Sequence, residues 1–401
     1  MLLGYHYHVP MFRDAEGRLR TPGYHGCFLD ALAEHCERLI CFLHTPRLGE
    51  MGIMDYALKA SNVEWVDIGP HVSVPERSLC RWRLTGPLRR WKARLDCLLI
   101  RGPSPLLPAA ASAVRGLPVA LLIVGDYVAG AAHSSLPWWK KRPVQLWCRW
   151  NAWGQLRVAR ESLTFVNSAQ LYEAYRGNIE RLHLTRTTTL SEADGYERED
   201  TCTGRPVRLL YTGRMASAKG LLEIAQAVAQ LLDAGEDVVL DLVGMREPGD
   251  SALEDLAAFC RRRGIEDRVT YHGYRPLGPE LFAFYRQADI YVLASTSSFE
   301  GFPRTIWEAV AHSLPVVATA VGSIPHYLKD RQTALLVPPR DAGKLAGAVA
   351  AVIRDGALRR RLIRAGRQLA RENTLERSTA QLAAILKQAA SKARLHPSFG
   401  H

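Results

Sequence analysis

The stretch 289–320, DIYVLASTSSFEGFPRTIWEAVAHSLPVVATA, reads as strand, turn, helix and strand in direct succession. DIYVLAS (289–295) and LPVVATA (314–320) are short apolar runs of strand length. Pro303 is suited to the first position of a helix over 304–313, because its fixed φ fits there and its missing N–H is not needed. The free N–H groups of that first turn face the preceding loop, where an anion is favoured. Glu300 and Glu308 bracket the segment EGFPRTIWE. On one continuous helix their spacing would place them ~80° apart. They are therefore not a stacked pair on one helix face, and read better as two contacts to different parts of one extended ligand.

Strands and helices alternate along the rest of the chain, which implies parallel sheets covered by helices on both faces. In the second half, strands are predicted at 207–212, 238–243, 269–273, 289–294, 315–319 and 334–338. Helices are predicted at 220–234, 251–263, 279–287, 304–312, 341–354 and 357–371, with a further amphipathic helix at 375–391. In the first half, 4–9, 39–45, 63–69, 96–102, 117–126 and 163–168 read as strands. A helix over 25–38 follows the glycine-bearing turn TPGYHG (21–26). The polar stretch SEADGYEREDTCTGR (191–205) has linker composition. The expected division is a first domain over 1–190, a linker over 191–205, a second domain over 206–372, and a C-terminal helical segment over 373–401. Ligands of such sheets lie off the carboxyl ends of the strands, here in the cleft between domains.

A second charged segment follows a strand end upstream. VRLLYTG (207–213) leads into Arg214, Lys219 and Gly220, where a helix begins. A strand, a glycine turn, two cations and a helix start make a phosphate cradle. GRMASAKG is not a P-loop, since it lacks that glycine spacing and the Ser/Thr after Lys. Taken alone, Arg214 and Lys219 read equally well as solvated loop charges.

Taken together, GR-x4-KG at 213–220 and E-x7-E at 300–308 resemble the retaining family-four glycosyltransferases of GT-B fold. HGY (272–274), LPVVATAVG (314–322) and ALLVPPRD (334–341) agree with that family. The resemblance covers roughly residues 205–372, and the first half agrees only in layout. It implies an α/β, GT-B fold: two doubly wound Rossmann-like domains with an interdomain cleft, acceptor on the first domain and nucleotide-sugar on the second. The final helix would then cross back onto the first domain.

The resemblance also implies roles. Arg214, Lys219 and the helix start near Arg304 and Thr305 would take the donor diphosphate, beside Gly213. Glu300, with Gly301, Phe302 and Pro303, would meet the donor sugar, and Glu308 the ribose hydroxyls. Gly273 and Tyr274 would border the base. On the acceptor or sugar side stand Gly23, His25, Gly26 and Asp126, although the turn at 21–26 reads equally well as a helix cap and a lone histidine is more often structural. Glu300, Arg214 and Lys219 would form the catalytic set: the two cations, with the helix N-terminus, would stabilise charge developing on the leaving diphosphate, and Glu300 would meet the sugar. The donor is expected to be a substrate linked to UDP or GDP, with no further cofactor. The sequence contains no Asp-x-Asp, which fits a metal-independent retaining transferase of this family.

The chain departs from the family pattern in places. Gly125-Asp126 stands where His-Asp is common, Gly322-Ser323 where a glycine pair is usual, His326 where glutamate often follows Ile-Pro, and Ser313 where glycine usually precedes LPVV.

Charge is unevenly placed. The net charge is +12, residues 77–94 carry seven basic and no acidic residues, and 134–160 carry six basic and no acidic ones. Trp82, Trp91, Trp138, Trp139, Trp147, Trp150 and Trp153 fall in the same region. Mixed tryptophan and arginine suit an anionic membrane surface. No nucleic-acid-binding motif accompanies them, so no nucleic acid partner is expected. The alternative is a core set of tryptophans under a solvated face. The N-terminus does not read as a signal peptide, no apolar run reaches the ~20 residues of a membrane span, and the scattered cysteines fit reduced thiols. The expectation is a peripheral enzyme on the cytoplasmic face of a membrane, extending a glycan or lipid-linked glycan for a cell-surface polysaccharide or glycolipid. A soluble acceptor, a silent GT-B partner subunit and a glycosidase-like carboxylate pair are the other readings.

Overall fold

The computed structural model describes residues 1–126, 128, 138–298 and 300–395. It contains two compact units, Met1–Thr187 with Leu375–His401, and Thr188–Thr374.

The first unit is built on a seven-stranded sheet. Its spatial order is Leu182–Leu184, Leu163–Val166, Val119–Ile123, Cys97–Gly102, Leu2–Pro10, Arg38–Thr45 and Val63–Pro70. Every pairing in it is parallel. Such strands are covered on both faces, so they read as continuous apolar runs. On one face Leu3, Tyr5, Tyr7 and Val9 pack with Phe28 and Leu29 of the helix Gly23–Ala33 and with Leu382 and Leu386 of the helix Leu375–Leu395. On the other, Ile40, Phe42, Leu98 and Ile100 pack with Leu107 and Ala110 of the helix Leu107–Ala113.

Three features differ from the sequence reading. The turn expected at 21–26 is already helical from Gly23, because Pro22 holds the extended N-cap conformation and Asp55 Oδ1 accepts the Gly23 N–H at 2.8 Å. A short antiparallel sheet of Phe12–Arg13, Leu19–Thr21 and Tyr56–Ala57 was not foreseen, its strands being too short to show a period. The basic tryptophan region forms the long helix Trp138–Glu161. Residues 134–137 of that basic stretch, and the side chain of Trp138, lie outside the described residues.

The second unit carries a six-stranded parallel sheet, ordered Val269–Tyr271, Val238–Val243, Val207–Thr212, Ile290–Leu293, Val316–Thr319 and Leu335–Val337. Its helices show the helical period plainly. Leu221, Ile224, Ala225, Val228 and Leu231 of the helix Leu221–Asp233 are all buried. Asp355 caps the helix Gly356–Arg371, accepting the Leu358 N–H at 2.9 Å.

The segment read as a linker over 191–205 belongs to this second unit, whose boundary falls after Thr187 rather than after 190. Its polar groups make specific bonds. Arg198 donates to the carbonyls of Tyr285, Arg286 and Ala288, and the Cys202 N–H reaches Asp289 Oδ1 at 2.7 Å. Asp200 pairs with Arg359 and Arg360. A polar composition that suits a linker thus serves a strap laid against one unit.

Candidate active site

Three neighbouring strands of the second sheet end on glycine: Thr212-Gly213, Val243-Gly244 and, just past Tyr271, His272-Gly273. The carboxyl edge there is a ledge of glycines. The loops leaving it are tied together. Met215 N–H donates to Met245 O at 2.8 Å, Ser217 donates from N and Oγ to Asp250, and Tyr211 Oη donates to Arg214 O at 2.8 Å. The loop that carries Arg214 and Lys219 is therefore held at both ends.

Lys219 and Glu300 meet. Lys219 Nζ lies 2.8 Å from Glu300 Oε1 and 2.7 Å from Oε2, with side chains only 17% and 12% exposed. Ser295 Oγ donates to Glu300 Oε2 at 2.5 Å. Two glycines permit this approach. Gly220 has φ +70°, and a Cβ there would sit 2.0 Å from Ala294 O. Gly322 has φ +55°, and its Cβ would sit 2.0 Å from Glu300 O. Both positions need the left-handed region and leave no room for a side chain. The Ser323 N–H then donates to Glu300 O at 2.8 Å, so Gly322-Ser323 holds the glutamate loop although the usual second glycine is missing.

Arg214 is placed differently. It is 66% exposed and pairs with Glu247 at 3.0 Å. Of the two sequence-predicted cations, only Lys219 is sheltered.

The loop before the helix Arg304–Ala311 is anchored by Phe302, whose ring lies 4.4 Å from that of Trp307 and 4.8 Å from that of Tyr327. Pro303 is the N-cap rather than the first helical residue, because its extended ψ of 128° ends the loop one residue later than expected. Phe302 and Trp307 thus form a staple across the helix start. No side chain caps that start. Gly301 and Arg304 are exposed, and Thr305 accepts from Tyr291 Oη at 2.6 Å.

Glu308 is buried, at 5% exposure. Its Oε2 accepts from Tyr285 Oη at 2.6 Å and its Oε1 from Thr189 Oγ1 at 3.1 Å. Tyr285 continues the network to Thr212. Burial pushes the Glu308 carboxyl above its usual range, while the hydroxyls of Tyr285 and Thr189 and the Arg304 charge oppose that rise. An ionised carboxylate has about four acceptor positions, so each oxygen keeps one beyond those used here. The two glutamates occupy different settings: Glu300 at the ledge with a cation, Glu308 inside with hydroxyls. Ser295, Tyr285, Thr189 and Gly244 were missed in the sequence. Only Gly244 had a signal, the same strand-then-glycine ending as Gly213.

At the nucleobase candidates, Gly273 O accepts from the Gly244 N–H at 2.9 Å, and Tyr274 is 41% exposed. His272, set aside as a catalyst, bonds Asp241 at 2.7 Å.

In the first unit, His25 is fully buried. Its Nδ1 lies 3.0 Å from Thr21 Oγ1 and its Nε2 3.1 Å from Tyr5 Oη. Both ring nitrogens are engaged inside the fold, so its role there is structural. Gly26 packs against the Tyr56 ring, where a Cβ would come within 2.2 Å, and the Gly23 N–H is taken by Asp55. The turn at 21–26 is a helix start whose first N–H faces a carboxylate, which disfavours an anion there. Asp126 is exposed, and its Oδ1 accepts from the Val128 N–H at 2.7 Å.

Residues 198–369 match the family described as glycosyl transferases group 1. Residues 198–369 form a domain of that family, and the chain has the GT-B fold. Among relatives, D-inositol 3-phosphate glycosyltransferase from Arthrobacter sp. (strain FB24) is 34% identical over 152 residues, covering 38% of this chain and 35% of that protein. Alpha-D-kanosaminyltransferase from Streptomyces kanamyceticus is 29% identical over 187 residues, covering 46% of each. The matched segments thus span less than half of these relatives. Solved structures match along nearly the whole chain. Sucrose-phosphate synthase from Thermosynechococcus elongatus has a TM-score of 0.73 at 19% identity, covering 98% of this chain and 100% of that one. HepE from Anabaena, solved with UDP and glucose, has a TM-score of 0.70 at 17% identity, covering 97% and 100%. The ledge, the Lys219–Glu300 pair and Glu308 all lie inside the matched domain.

Proposed function

We propose that this protein is a retaining glycosyltransferase that moves a sugar from a UDP- or GDP-linked donor to a glycan acceptor, without a metal ion. The observation that carries the reading is the Lys219–Glu300 pair at the glycine ledge, within the segment that matches the group 1 family.

In this reading the nucleoside lies along the ledge and the diphosphate meets Lys219, Arg214 and the uncapped helix start at Arg304 and Thr305. Glu308 holds ribose hydroxyls through its remaining acceptor positions. Glu300, which faces Lys219, meets the donor sugar. As the anomeric carbon parts from the phosphate, negative charge grows on the leaving diphosphate. A sheltered ammonium and backbone N–H groups already in position stabilise that charge more than water would. The leaving phosphate oxygen takes the acceptor proton, and attack from the same face retains the anomeric configuration.

The acceptor is proposed to be lipid-linked, with the enzyme peripheral on the cytoplasmic face of an anionic membrane and serving a cell-surface polysaccharide or glycolipid. The support is the first unit's surface. Trp82, Trp139, Trp150 and Trp153 are each more than half exposed. Arg81 and Arg89 lie over Trp82, and Arg157 over Trp153. Exposed tryptophans under guanidinium groups are costly in water and suited to an anionic interface. No described helix is long and apolar enough to cross a membrane.

The test is a thermal-shift series with UDP, GDP, ADP and CMP and their sugars. A ligand at 100 times its Kd adds about 2.7 kcal/mol to folded stability. A shift with one nucleotide in wild type that is lost in Lys219→Ala supports the reading. No shift with any of them would remove it.

A further inference from the structure

A groove of about 1190 Å³ crosses the first unit at the amino ends of four neighbouring strands. Cys97, Val119 and Leu163, which begin three of them, line it, as does Arg181, just before the fourth strand, Leu182–Leu184. The four strands run parallel, so the groove lies at the opposite edge of the sheet from the carboxyl ends, where ligands of open α/β sheets bind. The transfer reaction gives it no task.

One wall is the helix Trp138–Glu161. Trp150, Gly154, Arg157 and Glu161 line the groove, and their spacing puts them within ~60° of one another around the helix. Trp153 also lines it, with Arg157 4.9 Å from its ring, and so does Trp82 of the helix Arg81–Leu84. Leu146 is exposed one turn before Trp150, and Leu79 is exposed beside the lining residue Ser78. Exposed aliphatic side chains next to indoles suit hydrocarbon rather than stacked bases.

Arg81, Arg94, Arg115, Arg157 and Arg181 supply the charge. Among the described residues none of these five forms an ion pair. The carboxylates in the lining are those of Asp96, which accepts the Leu2 N–H at 2.8 Å, and Glu161. Five guanidiniums against two carboxylates leave the groove positive. Asn151 lines it as well. That side chain is buried at 3% exposure, and its Oδ1 has no hydrogen-bond partner. A buried amide oxygen without a donor is costly, and a ligand hydroxyl reaching it recovers that cost.

We propose that this groove binds one anionic phospholipid with a hydroxylated headgroup, its phosphate among the arginines, a headgroup hydroxyl at Asn151, and its chains against Trp82, Trp150 and Trp153. Guanidinium forks match phosphate oxygens two at a time, and indoles suit the boundary between water and hydrocarbon. The lipid is an anchor rather than the sugar acceptor, because the groove lies at the far edge of the sheet from the strand ends that take substrates. The choice of a lipid rests on the membrane reading above; binding of a single dispersed lipid does not require that vesicles bind, so the two fail separately.

The experiment is titration of the full chain with dihexanoyl phosphatidylglycerol, kept below its micelle-forming concentration and followed by tryptophan fluorescence. Wild type should bind it saturably at a single site, and should bind dihexanoyl phosphatidylcholine at least ~10-fold more weakly. Glycerol 1-phosphate, which has the charge without the chains, should not displace it at equal concentration. Arg115→Gln and Arg157→Gln should each weaken binding ~5-fold and the double variant ~25-fold. Asn151→Leu, checked by thermal melting, should weaken phosphatidylglycerol and leave dihexanoyl phosphatidic acid, which lacks the second glycerol, unchanged. Lys219→Ala should bind lipid as wild type does. Equal binding of the two headgroups, displacement by glycerol 1-phosphate, full binding by the double variant, or tighter binding of oligothymidylate than of lipid would overturn the site. Loss in Lys219→Ala would move the lipid to the glycine ledge and overturn it too. Unchanged phosphatidylglycerol binding by Asn151→Leu would overturn the headgroup assignment. If dispersed lipid binds and anionic vesicles do not, the groove stands and the membrane reading falls; the reverse result removes the groove alone.

Discussion

Lys219 Nζ sits between both carboxylate oxygens of Glu300, at 2.8 and 2.7 Å, although 81 residues separate the two in the chain. The pair neutralises itself, so neither charge is stranded in a sheltered place. Donor diphosphate would compete with Glu300 for the ammonium. Removing one partner leaves the other uncompensated, at a cost of about 1–3 kcal/mol, since the pair is only partly buried.

Lys219→Met and Glu300→Gln should therefore each lose stability as well as ~10²–10³ in turnover. The double variant should recover stability above either single one while staying inactive. Urea unfolding alongside turnover measures both. Additive stability losses in the double variant would show that the pair is not coupled.

Glu308 gives a pH-dependent prediction. Its folded-state carboxyl is raised by burial, so its favourable contribution is present below the unfolded value and is lost as pH rises through the folded value. Wild type should lose stability relative to Glu308→Gln between pH 4 and pH 7. Denaturant unfolding of both proteins across that range tests it, and a difference that does not change with pH contradicts it. With 2′- and 3′-deoxy donors, the variant should discriminate less than wild type if the carboxylate holds ribose hydroxyls.

Ser313 holds a backbone conformation that favours glycine, with φ +59°. The hydroxyl offsets the strain by donating to Tyr196 O at 2.8 Å and accepting the Arg198 N–H at 3.2 Å. Ser313→Gly trades two hydrogen bonds for a relaxed backbone and should stay within about 1 kcal/mol of wild type. Ser313→Ala loses the bonds and keeps the strain, and should fall by about 2–3 kcal/mol. Thermal unfolding separates them; equal melting points would refute the account.

The second unit was legible because each strand and helix carries its own period. The strands at 207–212 and 238–243 and the helix at 279–287 fall where the sequence placed them. The turn of Lys219 against Glu300 was not legible as a contact, because a loop's path is set by glycines at Gly220 and Gly322 whose φ no pattern reveals. The burial of Glu308 was hidden for a related reason: Tyr285 and Thr189, which solvate it, come from distant segments. His25 looked like a ligand because histidine is versatile, yet Thr21 and Tyr5 occupy both of its nitrogens. The two-residue and three-residue strands of the first unit and the strap at 191–205 of the second lack any periodic signature.

The exposed tryptophans yield the membrane prediction. A groove in the first unit is lined by Arg81, Trp82, Arg94, Trp150, Trp153 and Arg157. Arg89, Arg90, Lys92 and Arg94 are exposed beside it. Each basic residue near an anionic surface contributes about 1 kcal/mol, and the attraction falls as salt screens it. Vesicles containing phosphatidylserine should bind the protein at low salt and release it as salt rises, while neutral vesicles bind weakly. Replacing Arg89, Arg90, Lys92 and Arg94 together with Gln should weaken binding by ~10²-fold or more, the equivalent of about 3–4 kcal/mol. Replacing Arg261, Arg262, Arg263 and Arg268 in the second unit should do less, because three of them extend from the last turn of a helix with no exposed tryptophan beside it. Activity on a short soluble acceptor should change little in the first set, whose residues lie apart from the Lys219–Glu300 ledge in sequence and unit. Flotation that does not distinguish anionic from neutral vesicles would defeat the docking proposal, and would leave Trp82, Trp150 and Trp153 as a surface for some other apolar partner.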